Sequence, residues 1–204
     1  MKAVLISIRP KWCEKIASGE KKIEVRKSRP KLQTPFKCYI YCTLPRYPHE
    51  DFIETDYPKP QFYGGGKVIG EFTCNRVTNL FSNSRFWLDE DDILHTCLSA
   101  AEMRKYANGA NGLYGWHISN LKIYDKPLEL SKFRVEDKAA IKACKHRFRA
   151  GQPEYVARHG GWLQGGWGCM KTGEPEWCEN CLTKPLTSPP QSWCYVEETD
   201  NDQT

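Results

Sequence analysis

Apolar residues divide the first two thirds of the chain into short elements, most of them with the period of β-strands. The run AVLISI at 3–8 is apolar almost throughout, as in a strand buried on both faces. In KIEVR at 22–26, polar and apolar residues alternate, which indicates a strand with one buried face. Other runs that predict strands lie at 37–43, 67–80 and 112–124, and a last strand-like stretch lies within 186–198.

Two segments carry helical signals. Apolar residues recur at helical spacing in 11–19, with Pro10 at the first turn and Gly19 at the end. Segment 87–107 predicts one or two helices. Ser99 is suited to be the N-cap of a helix that forms the second half of the segment. Many short strands around short helices predict an α+β fold, a small barrel of mixed and antiparallel strands rather than a parallel sheet of βαβ units.

The amino-acid composition of the chain changes near residue 136. Segment 136–182 is rich in Gly, Trp and Cys and poor in aliphatic residues. We therefore expect residues 1–135 and 183–198 to form the barrel, with 136–182 as a cysteine-rich insertion before its last strand. The polar end at 199–204 is expected to be disordered.

Charge and composition restrict the function only loosely. The net charge of +5 and the pI near 8.6 permit a nucleic-acid partner without requiring one. The N-terminal apolar run is too short for a signal peptide, and no stretch approaches the ~20 apolar residues of a membrane span. We expect a cytoplasmic protein without a membrane partner. Its ten cysteines are then not expected to form structural disulfides.

Four cysteines in or next to the insertion have the character of metal ligands. Cys178 and Cys181 form a C-x-x-C knuckle, in which two thiolates on one tight turn hold one ion. With Cys169 and Cys144 they would complete a tetrahedral site for structural Zn²⁺. A redox pair or the absence of metal are the alternatives. The reserve ligands are His146, His159 and Cys194.

The most highly charged stretch is GEKKIEVRKSRPK at 19–31, in which six of thirteen residues are Lys or Arg. Alternation places Lys22, Glu24 and Arg26 on one face of the strand, opposite an apolar pair. That face meets either water, as in a solvated strand, or a ligand.

This stretch resembles the ASCH domain family of the PUA-like superfamily. The resemblance rests on the pattern G-x-K-x-x-E-x-R, formed by Gly19, Lys21, Glu24 and Arg26. The supporting motifs are SIRPKW, GKVIGEF, YGWHISNLKIYDKPLEL and PPQSWCYVEE. It covers residues 1–135 and 183–198, and the remaining block is similar to the cysteine-bearing insertion of some bacterial and phage members.

The resemblance implies a small PUA-like β-barrel with a cleft on one side that binds RNA or another nucleic acid. Some members are enzymes, either ribonucleases or hydrolases of the amide in N4-acetylcytidine. In the amidohydrolases a Lys matches Lys21, and a Thr described as the nucleophile stands at the position of Glu24. A carboxylate cannot replace that hydroxyl without a change of mechanism.

The residues themselves suggest roles in such a cleft. Lys21 and Arg26 would bind phosphate, and Arg9 could join them. Glu24 could form a salt bridge, accept hydrogen bonds from a base edge, or act with Lys21 as a catalytic acid/base pair. Strict alternation puts Lys21 opposite Glu24, so a shared cleft requires Lys21 to lie in the turn before the strand.

Trp116 and His117 are neighbours in a predicted strand, so only one of them can face the core. Either Trp116 packs inside and His117 is exposed or hydrogen-bonded, or the two serve the cleft by stacking on a base and moving a proton.

Three functions remain open at this point. The first is binding of RNA or a nucleotide by Arg9, Lys21, Glu24, Arg26, Trp116 and His117. The second is hydrolysis of RNA or a modified nucleoside by Lys21 and Glu24. The third is a protein-interaction adaptor that uses the Trp-rich insertion.

Overall fold

A computed structural model describes residues 2–44, 65–82, 85–86, 90–110, 112–139, 147–149, 167–169 and 183–199. The chain divides into two compact units. One is formed by Met1–Phe133 with Thr187–Thr204, and the other by Arg134–Leu186.

The described residues form short strands and three short helices. The strands are β1 (Lys2–Ile8), β2 (Ile23–Arg26), β3 (Phe36–Cys42), β4 (Lys67–Ser82), β5 (Arg85–Phe86), β6 (Gly112–Leu128), β7 (Arg134–Glu136), β8 (Arg147–Arg149), β9 (Trp167–Cys169), β10 (Thr183–Pro185) and β11 (Trp193–Glu197). The helices are α1 (Pro10–Ala17), α2 (Glu90–Thr96) and α3 (Ala100–Ala107). Each strand predicted from the sequence is present, as β1, β2, β3, β4, β6 and β11.

The predicted cap of the last helix is confirmed. The Ser99 hydroxyl accepts a hydrogen bond from the Glu102 backbone N–H at 3.2 Å, and the Glu102 carboxylate accepts one from the Ser99 N–H at 2.8 Å. This reciprocal pair is a capping box. It fixes the start of α3, whose residue Tyr106 contributes to the site described below.

The first unit is built on one mixed sheet with the strand order β11-β1-β3-β4-β6-β2, and β5 pairs with β4. Strands β1 and β3 are parallel, and the other neighbours are antiparallel. The α+β class is therefore confirmed.

The predicted barrel is found in part, as a mixed sheet that does not close in the portion of the chain that the structure describes. Within the described residues, the hydrogen-bonded path ends at β11 on one side and at β2 on the other. Side chains join the two ends instead, because Arg26 in β2 donates to the Ser7 carbonyl in β1 at 2.6 Å and to the Ser192 hydroxyl before β11 at 3.4 Å. The sheet is curled, and a gap that no backbone ladder fills remains between its edges.

The apolar core lies inside the curled sheet. Gly115 in β6 stands opposite Val25 in β2, and a Cβ there would lie 2.8 Å from Ile23 Cγ2 and 2.7 Å from Leu80 Cδ2. The glycine therefore allows β2 to approach β6 closely. The main cluster includes Val4, Ile6, Ile8, Cys13, Ile16, Phe36, Cys38, Ile40, Cys42, Ile69, Phe72, Cys74 and Trp116.

The second unit contains two small antiparallel pairs, β7 with β10 and β8 with β9. Arg134 in β7 donates to the Thr183 carbonyl at 2.7 Å and to its hydroxyl at 2.9 Å. The segment expected as an insertion, 136–182, lies within this unit.

The C-terminal tail is packed against the sheet at its first residue. The Tyr39 hydroxyl accepts a hydrogen bond from the Thr199 N–H at 3.0 Å, so the packed region extends one residue into the tail predicted to be disordered. The rest of that tail, 200–204, lies outside the described residues.

In the part of the chain that the structure describes, no helix is long and apolar enough to span a bilayer.

Candidate functional site

The turn after α1 brings Lys21 to the same site as Glu24. Gly19 has φ +79°, in the left-handed region that favours glycine. The chain reverses there, and the Lys21 N–H donates to the Lys15 carbonyl at 2.8 Å. Because β2 begins only at Ile23, Lys21 is not bound by strand alternation, and the condition for a shared cleft is fulfilled.

Lys21, Glu24 and Arg26 form a buried charged cluster, which we call the charged triad. Their exposed fractions are 2%, 5% and 7%. The two oxygens of Glu24 lie 3.4 Å from Lys21 Nζ and 3.0 Å from Arg26 Nη2. The solvated strand face is thus ruled out for these residues, whereas Lys22 is exposed.

Each of the two cations also donates a hydrogen bond to a backbone carbonyl. Lys21 Nζ donates to the Thr96 carbonyl at the end of α2 at 2.6 Å, and Arg26 Nη2 donates to the Ser7 carbonyl. Arg26 Nε is buried and has no hydrogen-bond partner among the described residues. Burial of an ion costs several kcal/mol unless its donors and acceptors are satisfied. Here two buried cations share one carboxylate, which can balance only one of their charges.

The charged triad lies at the base of an open cleft of about 600 Å³ in the gap between β1 and β2. Residues 189–191 form one wall, fixed by a hydrogen bond from the Ser7 hydroxyl to the Pro190 carbonyl at 2.7 Å. Arg9, exposed at the start of α1, lines the cleft as predicted.

Two aromatic residues that sequence reasoning missed also line the cleft, Trp12 and Tyr106. Lys21 Nζ lies 5.1 Å from the centroid of the Trp12 ring, a cation–π distance. Burial raises the pKa of the Tyr106 phenol, which is nevertheless partly exposed. Trp12 showed only helical periodicity in the sequence, and Tyr106 carried no signal beyond its helix.

The predicted role of Trp116 in the cleft is corrected. Its side chain is 0% exposed and packs edge-on against Phe36 at 5.8 Å between ring centroids. In β6 it pairs with Glu24 in β2, yet its ring belongs to the core, so it provides no surface on which a base could stack.

His117 is likewise held apart from the cleft lining. Its Nδ1 lies 3.3 Å from Arg76 Nη2 and its Nε2 lies 3.0 Å from the Thr78 hydroxyl. Since arginine can only donate, Nδ1 is the acceptor and Nε2 carries the proton that Thr78 accepts. Burial and the Arg76 charge lower the pKa of His117. The hydrogen-bonded alternative for this residue is the one found.

The predicted metal site cannot be built from the described residues. Cys144, Cys178 and Cys181 lie outside them, and the backbone of Cys169 lies in β9. Within the described ranges, no group of three potential metal ligands converges. The zinc site and the adaptor function of the same segment stay predictions.

Solved structures similar to this chain include three crystal structures of an ASCH protein from Zymomonas mobilis, two of them substitution variants. This chain is similar to ASCH domains. The TM-scores are 0.46, 0.44 and 0.42 and the identities 19%, 20% and 19%. The matches cover 64%, 63% and 63% of this chain and 77%, 73% and 74% of the others. No protein-family model and no curated protein sequence matches the chain.

Proposed function

We propose that this chain binds RNA or a nucleotide through the cleft around the charged triad. The observation that carries the proposal is the composition of the cleft base, where Lys21 and Arg26 share the single carboxylate of Glu24 while almost fully buried. The base therefore holds one formal positive charge in excess. A phosphate would neutralise that charge in a place that water reaches poorly.

The walls of the cleft suit the remainder of a nucleotide. A volume of about 600 Å³ lies within the range of roughly 300–1,000 Å³ that is common for small-molecule sites. Trp12 and Tyr106 add aromatic side chains to the cleft lining, and aromatic side chains stack on bases in proteins that bind single-stranded nucleic acid. Arg9 adds an exposed cation at the rim.

The test is fluorescence anisotropy with a labelled mononucleotide and a labelled ten-nucleotide single-stranded RNA, each at several salt concentrations. Arg9→Gln should weaken RNA binding and reduce the slope of log K against log salt by about 0.7, the value for one lost phosphate contact on a single strand. Arg9 is exposed and Lys22 is its exposed counterpart outside the cleft, so Lys22→Gln is the matched control. Absence of binding, or equal losses in both variants, would contradict the proposal.

One observation favours a second candidate, the hydrolysis of RNA or of a modified nucleoside. Lys21 and Glu24 both line the cleft and lie 3.4 Å apart, within reach of an acid/base pair. Both oxygens of Glu24 already face cations, however, and a substrate proton would have to displace one contact. Binding is therefore the function that the geometry supports better.

Mass spectrometry separates the two candidates. The chain is incubated with short RNAs and with nucleosides that include N4-acetylcytidine. The binding function predicts an unchanged mass for every substrate. A product formed by the native chain and lost in Lys21→Ala, with folding checked by circular dichroism, would establish the hydrolase instead.

A further inference from the structure

The segment that follows β2 carries three exposed cations. Lys27, Arg29 and Lys31 are exposed, whereas Pro30 is buried and Leu32 packs against the apolar core. The residues between the cations therefore contact the protein, and the cations point into solvent.

Hydrogen bonds fix this segment along the edge strand β11. Trp193 Nε1 donates to the Ser28 hydroxyl at 3.0 Å, and the Lys31 N–H donates to the Tyr195 hydroxyl at 2.7 Å. Ser28 contacts Trp193 and Lys31 contacts Tyr195, so residue numbers rise together in the two segments, and the segment runs parallel to β11. The backbone that carries the cations is therefore held against β11.

In the described part of the chain, these cations differ from the charged triad in having no acidic partner. Among the described residues, no carboxylate lies within ion-pair distance of Lys27, Arg29 or Lys31. Arg29 and Lys31 also line a separate hollow of about 440 Å³. Exposed positive charge without compensation attracts anions from solution.

The segment continues directly from the cleft. Arg26 in the charged triad precedes Lys27, whose Nζ lies 5.3 Å from the centroid of the Tyr106 ring. Tyr106 in turn lines the cleft. Lys27 therefore lies beside the cleft and is two residues from Arg29, which lines the adjoining segment's hollow with Lys31.

We propose that segment 27–34 is a second phosphate-binding surface for single-stranded RNA. One nucleotide of the RNA occupies the cleft, and the phosphates of the nucleotides next to it contact segment 27–34. The inference rests on the proposed function of the cleft. A single strand can place one unstacked nucleotide in a concave site and carry its backbone over an adjoining loop. A continuous duplex cannot enter a cleft of about 600 Å³ in this way.

The test compares the same mononucleotide and ten-nucleotide RNA, now with the double variant Arg29→Gln/Lys31→Gln. The mononucleotide should bind as it does to the native chain. For the RNA, the slope of log K against log salt should fall by about 1.4, because two phosphate contacts are lost. The control is Lys122→Gln/Lys126→Gln, which removes two exposed cations of β6 outside the cleft and the hollow.

Each outcome separates this inference from the function of the cleft. RNA binding that depends on Arg9 and is unchanged by Arg29→Gln/Lys31→Gln would overturn the second surface and leave the cleft standing. The reverse pattern would overturn the cleft and support the segment as an RNA-binding surface by itself. Equal slopes in the double variant and its control, or equal competition by polyglutamate and RNA at matched ionic strength, would also overturn the inference.

Discussion

Both halves of the stretch 19–31 carry three Lys or Arg residues, but the environments of these cations differ. In the first half, Lys21 and Arg26 are buried around Glu24. In the second half, Lys27, Arg29 and Lys31 stand in solvent with no carboxylate nearby among the described residues. The halves are adjacent in sequence, and the first lines the cleft whereas Arg29 and Lys31 line the separate hollow.

The difference shows what determines whether a cationic side chain is buried or exposed in a small domain. Lys21 and Arg26 are buried because a carboxylate and two backbone carbonyls, those of Thr96 and Ser7, accept their donors. Within the described ranges, the later cations have no such acceptors, and they remain exposed. The buried half thus lines the cleft, while the exposed half is available to a polyanion.

Glu24→Gln should produce the largest effect, since it removes the carboxylate that both buried cations share. Loss of one partner from a buried ion pair costs about 3–5 kcal/mol in the free energy of unfolding. Urea unfolding followed by circular dichroism measures the change. The control is Glu20→Gln, whose carboxylate is exposed and pairs with Lys15 and which should leave the unfolding midpoint unchanged. Equal effects of the two variants would mean that the charged triad does not stabilise the fold.

Arg26→Lys should produce a smaller loss, because it keeps the charge and removes the fork that contacts Ser7 and Ser192 at once. Loss of hydrogen bonds from a charged group is expected to lower the free energy of unfolding by about 1.5–3 kcal/mol. Arg29→Lys is the matched control in the exposed half and should not alter unfolding. A stable Arg26→Lys variant would show that the curled sheet does not need this connection.

The smallest effect is expected at His117, whose ring lies beside the Arg76 cation. Arg76 contacts the ring, Asp92 and His95 lie near enough to influence it, and burial first and then Arg76 lower its pKa. The unfolded chain therefore takes up a proton near pH 6.5 while the folded chain does not, and stability falls as the pH drops below about 6.5.

His117→Gln should remove that part of the pH dependence. Unfolding measured at about pH 7.5 and at about pH 5.5 should then differ less than in the native chain. A native chain that gains stability on acidification, with the gain abolished by His117→Gln, would reverse the assigned direction.

The sequence predicted the local elements well, because strand alternation and helix capping are read from neighbouring residues. The turn at Gly19 and the placement of Lys21 before β2 followed from the same local logic. The acceptors of the buried cations could not be predicted, since Thr96 lies 75 residues from Lys21 along the chain. Nor could the sequence show that a curled sheet stays open or that Trp116 faces its interior.

The aromatic walls were missed for the same reason. Trp12 and Tyr106 come from α1 and α3, which only the tertiary fold brings to one cleft. Helical periodicity assigns such residues to a buried face, and nothing local distinguishes a cleft wall from a core.

The most direct test of the central claim is a titration of the ¹⁵N-labelled protein with the ten-nucleotide RNA, followed by the indole N–H signals in NMR spectra. The signals are assigned by single Trp→Phe substitutions. The account predicts that the signal of Trp12, which lines the cleft, shifts in a saturable manner, and that Arg9→Gln weakens the response. RNA that binds while the Trp12 signal stays in place, or that does not bind at all, would contradict the account.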